Sequence, residues 1–335
     1  MIGPVLLTLL AAAAAPGQAC AAARAALPQA EACVEQPGGI ALASSEAAAR
    51  EMLTQARAGE ERFRTAFGRA PSRYAMFGFN DPATARTTST ALRALGYTPV
   101  LPLPSSKLRE RQMADAVRRL QASGNGGTPG RIVQRASADG SGEPRGANHV
   151  PHELGHGWYA NAFWPASLQT PPPTTRRYGS PAPDWLDEAA AMLMEDETRT
   201  LWHHQRLADG RSADAQRAAM SPPEVPLATL ISMTHPALAS LPAPGGADGP
   251  VSMVVIGRPS LFYAQVRVFT DYLIERSGDR RILAVVSKGL QGGATFDRWL
   301  GTHGTRHRLP TSLAAMQADW DGWLDRRFGA AQDAR

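Results

Sequence analysis

The 335-residue sequence predicts an α+β protein, a small mixed sheet with helices followed by a mainly helical lobe. Three observations lead there. Helical and strand-like patterns alternate between residues 43 and 136, an H-E-x-x-H motif on a helix follows, and helical periodicity dominates thereafter. With 43% hydrophobic residues, the chain can bury a substantial core as one large domain or two lobes.

Residues 1–19 read as a signal peptide. Val5 to Ala15 is an apolar core, and Gly17-Gln18-Ala19 fits the small-x-small rule for cleavage before Cys20. The mature chain is therefore expected to be exported, periplasmic or secreted. Acylation of Cys20 is the alternative, although Gly17 is not the Leu-like residue a lipobox begins with. The only two cysteines, Cys20 and Cys33, would form one disulfide in an oxidising compartment; a lipidated Cys20 would leave Cys33 free.

Residues 20–147 form the expected N-terminal α/β lobe. Ala43 to Phe67 reads as a helix, with a Ser44/Ser45 start and Gly68 after its end. Arg73 to Phe79 reads as a strand closed by Asn80-Asp81-Pro82, Ala83 to Leu95 as a helix, and Tyr97 to Leu103 as a second strand. Ser106 to Ser123 is an amphipathic helix with a solvated arginine face. Gly124 to Gly130 lacks the Lys and Ser/Thr of a phosphate loop and is a connector. Arg131 to Ala136 looks like a strand, and Ser137 to Gly146 is a second Gly-rich turn.

Residues 148–335 form the expected helical lobe. Asn148 is a candidate N-cap, with Pro151 tolerated in the first turn. Phe163 to Pro183 is rich in Pro, Ser and Thr and reads as an irregular loop. Asp184 to about His204 reads as one helix, with Asp184 and Asp187 spaced as in a capping box. Ala208 to Val225 is polar, and Leu241 to Pro250 is a loop. Helices are expected at Ser260–Ser277, Arg280–Lys288 and Ser312–Phe328.

Charge excludes little by itself. The net charge is +5 and the pI near 9.6, but of 35 basic residues only Lys107 and Lys288 are lysines, and the arginines are scattered. With no basic block and no aromatic interleaving, a nucleic-acid partner is not expected. Beyond the N-terminus no apolar run is long enough to span a bilayer, so the mature chain is expected to lack a transmembrane segment.

The chemistry concentrates in Asn148-His-Val-Pro-His152-Glu153-Leu-Gly-His156-Gly-Trp158-Tyr159. Residues four apart share a helix face, so His152 and His156 can address one metal ion. Glu153 can reach a water beside it as general base. A third His at metzincin spacing is absent, since position 162 is Ala. A glutamate from a later helix is the alternative, and Trp185-Leu-Asp-Glu188 supplies Glu188. His149 is a rival ligand or oxyanion donor but reads better as a cap-region residue. His203, His204, His235, His303 and His307 lack partners at ligand spacing and read as surface or structural. Trp158, Tyr159, Trp185 and Trp320 read as core.

These segments resemble a known family. His152-Glu-Leu-Gly-His-Gly-Trp158-Tyr-Ala-Asn161 is similar to the H-E-x-x-H-x-W-x-x-N of M1-type aminopeptidases and their gluzincin relatives, and Trp185-Leu-Asp-Glu188 to their W-L-x-E segment. Phe262-Tyr263 through Tyr272-Leu-Ile-Glu resembles the helix carrying their transition-state tyrosine, which implies that role for Tyr263 and packing for Tyr272. The G-x-M-E-N segment that holds a substrate's free amine has no counterpart before His152, so the match is to the broader peptidase-MA-like superfamily. The resemblance implies a thermolysin-like catalytic core with one Zn²⁺ held by His152, His156 and Glu188. It implies peptide or protein substrates, hydrolysed by a metal-activated water with Glu153 as general base and Tyr263 as oxyanion donor. Asp187 or Asn161 would orient a ligand, and the 131–136 strand would pair with an extended peptide. The rivals are an M1-type aminopeptidase and a non-enzymatic zinc-bearing binding or adhesion module.

Overall fold

The computed structural model describes residues 18–105, scattered helical positions between Leu108 and Arg118, and residues 149–165, 180–211, 224–236 and 259–329. Among them it is a mixed α+β protein, mainly helical, with a four-stranded sheet. Strands β1 (Ala32–Gln36), β2 (Gly39–Ala43), β3 (Tyr74–Phe79) and β4 (Val100–Pro104) lie side by side in chain order. β1 and β2 form a tight antiparallel hairpin, with Gln36 opposite Gly39. β2–β3 and β3–β4 are parallel, so a helix must cross over between each pair: α2 (Glu46–Phe67) and α3 (Pro82–Ala94).

Side chains of the central strands alternate between two cores. Ile40, Leu42, Ala75 and Phe77 meet α1 (Gln18–Ala26) and α3; Ala41, Ala43, Tyr74 and Met76 meet α2 and the core of the helical half. With both faces covered, β2 reads Gly-Ile-Ala-Leu-Ala with no polar alternation. For that reason the sequence reading, which starts the sheet at residue 73, misses the β1–β2 hairpin.

The remaining elements follow their local signals closely. Ser45 caps α2 through its Oγ and Ala48 N–H (3.2 Å), and Gly68 ends it at φ 63°, a backbone value that favours glycine. Asp81 caps α3 by accepting from Ala83 and Thr84 N–H, both at 2.9 Å. The later helices are α4 (His149–Phe163), α5 (Asp184–Met192), α6 (Glu197–Arg211), α7 (Leu227–Ser232), α8 (Pro259–Ser277), α9 (Ile282–Leu290), α10 (Phe296–His303) and α11 (Leu313–Phe328). Tyr272 of α8 is buried and donates to Asp319 at 2.8 Å, a packing role as expected. Among the described residues no helix is long and apolar enough to cross a membrane.

Most of the signal segment, the connectors at 124–130 and 137–146, the Arg131–Ala136 strand, the Asn148 cap, the 241–250 loop and most of the 163–183 loop lie outside the described residues.

Cys20 and Cys33 form a disulfide joining α1 to β1. Its sequence separation is 13. Closing a loop of that size stabilises a fold by about 3 kcal/mol in the chain-entropy model. Replacing both cysteines with Ala should lower stability by about that amount, read as a shifted midpoint in denaturant titration.

Candidate metal centre

The orientation of α4 is set by contacts on the faces that do not carry its histidines. Trp158 is fully buried between Phe63 and Tyr74, with ring centroids 5.9 and 5.5 Å away. Tyr159 shares a hydrogen bond with Ser287 Oγ at 2.8 Å. Asn161 donates to Thr98 O and Ser72 Oγ, at 2.8 and 2.9 Å, tying the helix to the start of β4 rather than to any ligand. With these faces committed, His152 and His156 turn toward α5. On the opposite side Gly157 lets the helix approach the start of β4 closely: a Cβ there would stand 2.3 Å from Pro99 Cβ. Gly157→Ala should therefore cost about 1–3 kcal/mol of stability, checked by chemical denaturation.

The expected single helix from Asp184 to His204 is instead two, α5 and α6, broken over residues 193–196. Asp196 Oδ1 accepts Arg199 N–H at 2.9 Å and starts the second helix, a cap whose signature the sequence carries in Asp196-Glu197. Two arginines hold the carbonyls left at the break. Arg267 donates to Met192 O (2.9 Å) and Arg62 to Met194 O (2.7 Å). The break turns Glu195 inward, where it meets His152 Nδ1 at 2.9 Å and His203 Nε2 at 3.0 Å. The capping box also fails. Pro183 occupies the cap position, Asp184 accepts the His235 backbone N–H at 2.6 Å, and Asp187 points into the core. There Asp187 receives Ser180 N–H (2.7 Å) and meets His156 Nδ1 at 2.6 Å.

Each imidazole thus has a buried carboxylate behind it, the arrangement that fixes tautomer and ring orientation in metal-binding histidines. A carboxylate accepts only, so each Nδ1 carries a hydrogen, and Nε2 is the nitrogen whose lone pair a metal would take once the second proton is lost. Those atoms face Glu188: His152 Nε2 lies 3.1 Å from Oε1 and His156 Nε2 3.6 Å from Oε2. Glu188 is fully buried, and neither of its oxygens has a well-aligned hydrogen-bond donor in the protein. One ligand atom from each of the three residues lies within 4.8 Å of the others, close enough for a single small cation to address all three. His152, His156 and Glu188 are the group of described residues that could hold a metal ion.

The electrostatics follow from the same contacts. Burial alone would lower the pKa of His152, but the charge of Glu188 close by and the hydrogen bond to Glu195 more than offset it, leaving it well above the usual imidazole value. His156 is raised the same way, by Asp187 and Glu188 against burial. For Glu188, burial pushes upward, and the charge of His152 with contacts from His152, His235 and His156 outweighs it; the carboxyl sits well below its usual range.

Two further sequence-derived residues border this group. Glu153, one residue past His152, is 37% exposed and has His149 Nδ1 at 3.6 Å. His149 itself is 64% exposed and stands outside the ligand cluster. Tyr263 lies on α8, half-buried, with its ring 5.5 Å from that of His235. Burial, then the charges of Glu188 and Glu153, hold its hydroxyl far above the ordinary phenol range. The structure therefore brings Glu188 to the His152/His156 face and sets Tyr263 beside His235, within reach of the charges of Glu188 and Glu153.

Sequence reasoning did not assign three residues that stand here. Glu195 had no visible signal until the helix break is seen. His203 and His235, read as surface or structural, are both buried, one against Glu195 and the other with Nε2 3.5 Å from Glu188 Oε2. His204 meets Asp271 at 2.7 Å, and the rings of the exposed His303 and of His307 lie against Trp299, surface or structural positions as expected. No family model matches the chain, and no curated protein or solved structure matches it either.

Proposed function

We propose that this chain is an exported zinc metallopeptidase of the gluzincin type, with a thermolysin-like catalytic core that cleaves peptide or protein substrates. The observation that carries the reading is the buried Glu188 carboxylate, without aligned donors of its own, facing the Nε2 atoms of two histidines whose Nδ1 atoms are each held by a buried acid. Zinc bound there would supply Lewis-acid activation of a water and of the scissile carbonyl.

The protein's own groups divide the remaining work. Glu153 stands on the same helix beside the ligands and open to solvent, so it can take a proton from the attacking water and deliver it to the leaving amine. The Tyr263 hydroxyl stays protonated because burial and the nearby carboxylates raise its pKa, and it can donate to the developing oxyanion. Asp187 and Glu195 keep the imidazoles in the tautomer that presents Nε2.

The test is metal removal. The purified protein should carry one zinc per chain, lose hydrolysis of a peptide library on chelation, and regain it when zinc is returned. Comparing N-blocked with free peptides separates an endopeptidase from an aminopeptidase. Uptake should also depend on pH. The raised pKa values mean that the zinc-free fold is stabilised by protonated His152 and His156 in acid and loses that contribution as pH rises through the raised values. Zinc must displace those protons, so its affinity should rise with pH over the same window, with proton release measurable by calorimetry in buffers of different ionisation enthalpy.

A further inference from the structure

Both oxygens of Glu188 are buried, and one cation bond satisfies only one of them. A ligating carboxylate keeps its orientation when its other oxygen receives a hydrogen bond. Beyond the two ligand histidines, the side-chain nitrogen near Glu188 belongs to His235, whose Nε2 lies 3.5 Å from Oε2. His235 stands outside the ligand group, yet it is held on three sides. Asp184, one helical turn before Glu188 on α5, accepts its backbone N–H at 2.6 Å. Its ring meets those of Phe262 and Tyr263, with centroids 5.3 and 5.5 Å away. The residue is fully buried, so it cannot touch substrate.

We infer that His235 is a positioning residue for the metal ligand Glu188. Its Nε2–H donates to Oε2 once zinc engages the carboxylate, closing the present 3.5 Å separation to a charge-assisted hydrogen bond of about 2.8 Å. This holds Glu188 in one orientation. Through the ring contact it also couples the ligand to the helix that carries Tyr263. The inference rests on the zinc reading of the same three ligands.

The experiment compares wild type with His235→Gln, which keeps a side-chain N–H, and His235→Phe, which fills the space between the aromatic rings without a donor. Zinc dissociation constants are measured by chelator competition, cobalt-substituted protein is followed by visible spectroscopy, and the zinc-free forms are melted to check folding. His235→Phe should bind zinc about 10–100-fold more weakly and alter the cobalt spectrum, while His235→Gln retains most of the affinity. In wild type, zinc should bring out a slowly exchanging imidazole N–H resonance that both variants lack, a readout that stands even if His235→Phe fails to fold. Wild-type zinc affinity and cobalt spectrum in a folded His235→Phe, or no such resonance in zinc-loaded wild type, would overturn the role of His235. A wild type that takes up no zinc would instead overturn the metal centre on which the inference rests.

Discussion

Glu153→Gln should lower peptide hydrolysis by about 10²–10⁴-fold while zinc content stays at one per chain. The two shapes are nearly identical, and the structure gives the side chain little to lose. Glu153 is 37% exposed, and the exposed His149 lies 3.6 Å away. It is not one of the three grouped ligands. Surface substitutions of this kind shift stability by no more than about 0.5 kcal/mol, so a lost activity cannot be ascribed to unfolding. Metal analysis beside kcat/KM on the same preparation reads the two effects separately. Undiminished hydrolysis in a zinc-loaded Glu153→Gln protein would end the enzymatic reading and return the site to a structural or binding role.

The second large effect concerns the metal itself. Glu188→Ala should weaken zinc binding by more than the roughly 100-fold that an outer partner commands, abolish hydrolysis, and remove the zinc-dependent rise in Tm. Two imidazoles would remain, each still backed by its acid, but the only anionic ligand of the group would be gone. Titrating zinc against melting temperature measures this directly, since a ligand that binds only the folded state stabilises it in proportion to the logarithm of its saturation. Wild-type zinc affinity in Glu188→Ala would mean that the third ligand is another residue.

The inner site was legible because helix geometry is local. Four-residue spacing alone puts His152 and His156 on one face, and Trp185-Leu-Asp-Glu188 announces a carboxylate among apolar neighbours. Tyr263 was reachable only through a resemblance, since nothing local distinguishes it from a packing tyrosine. Glu195 was not legible because its role depends on a helix break that two distant arginines stabilise, residues 62 and 267, whose meeting is a tertiary event. His235 was hidden likewise: it meets Glu188 from far along the sequence, a tertiary contact that no periodicity encodes. In the fold, capped helices such as α2 and α3 showed themselves through Ser45, Gly68 and Asp81. The β1–β2 hairpin did not, because a strand buried on both faces carries no alternating pattern.

The break between α5 and α6 has a consequence for the order in which this protein matures. Its carbonyls are held by Arg62 from α2 and Arg267 from α8, elements far apart along the chain, and only the closed turn sets Glu195 against His152. An isolated H-E-x-x-H helix would offer two loosely oriented imidazoles and little affinity. Tight zinc uptake is thus expected to come late, after α2 and α8 have docked, so that the metal reports on a completed fold rather than nucleating one.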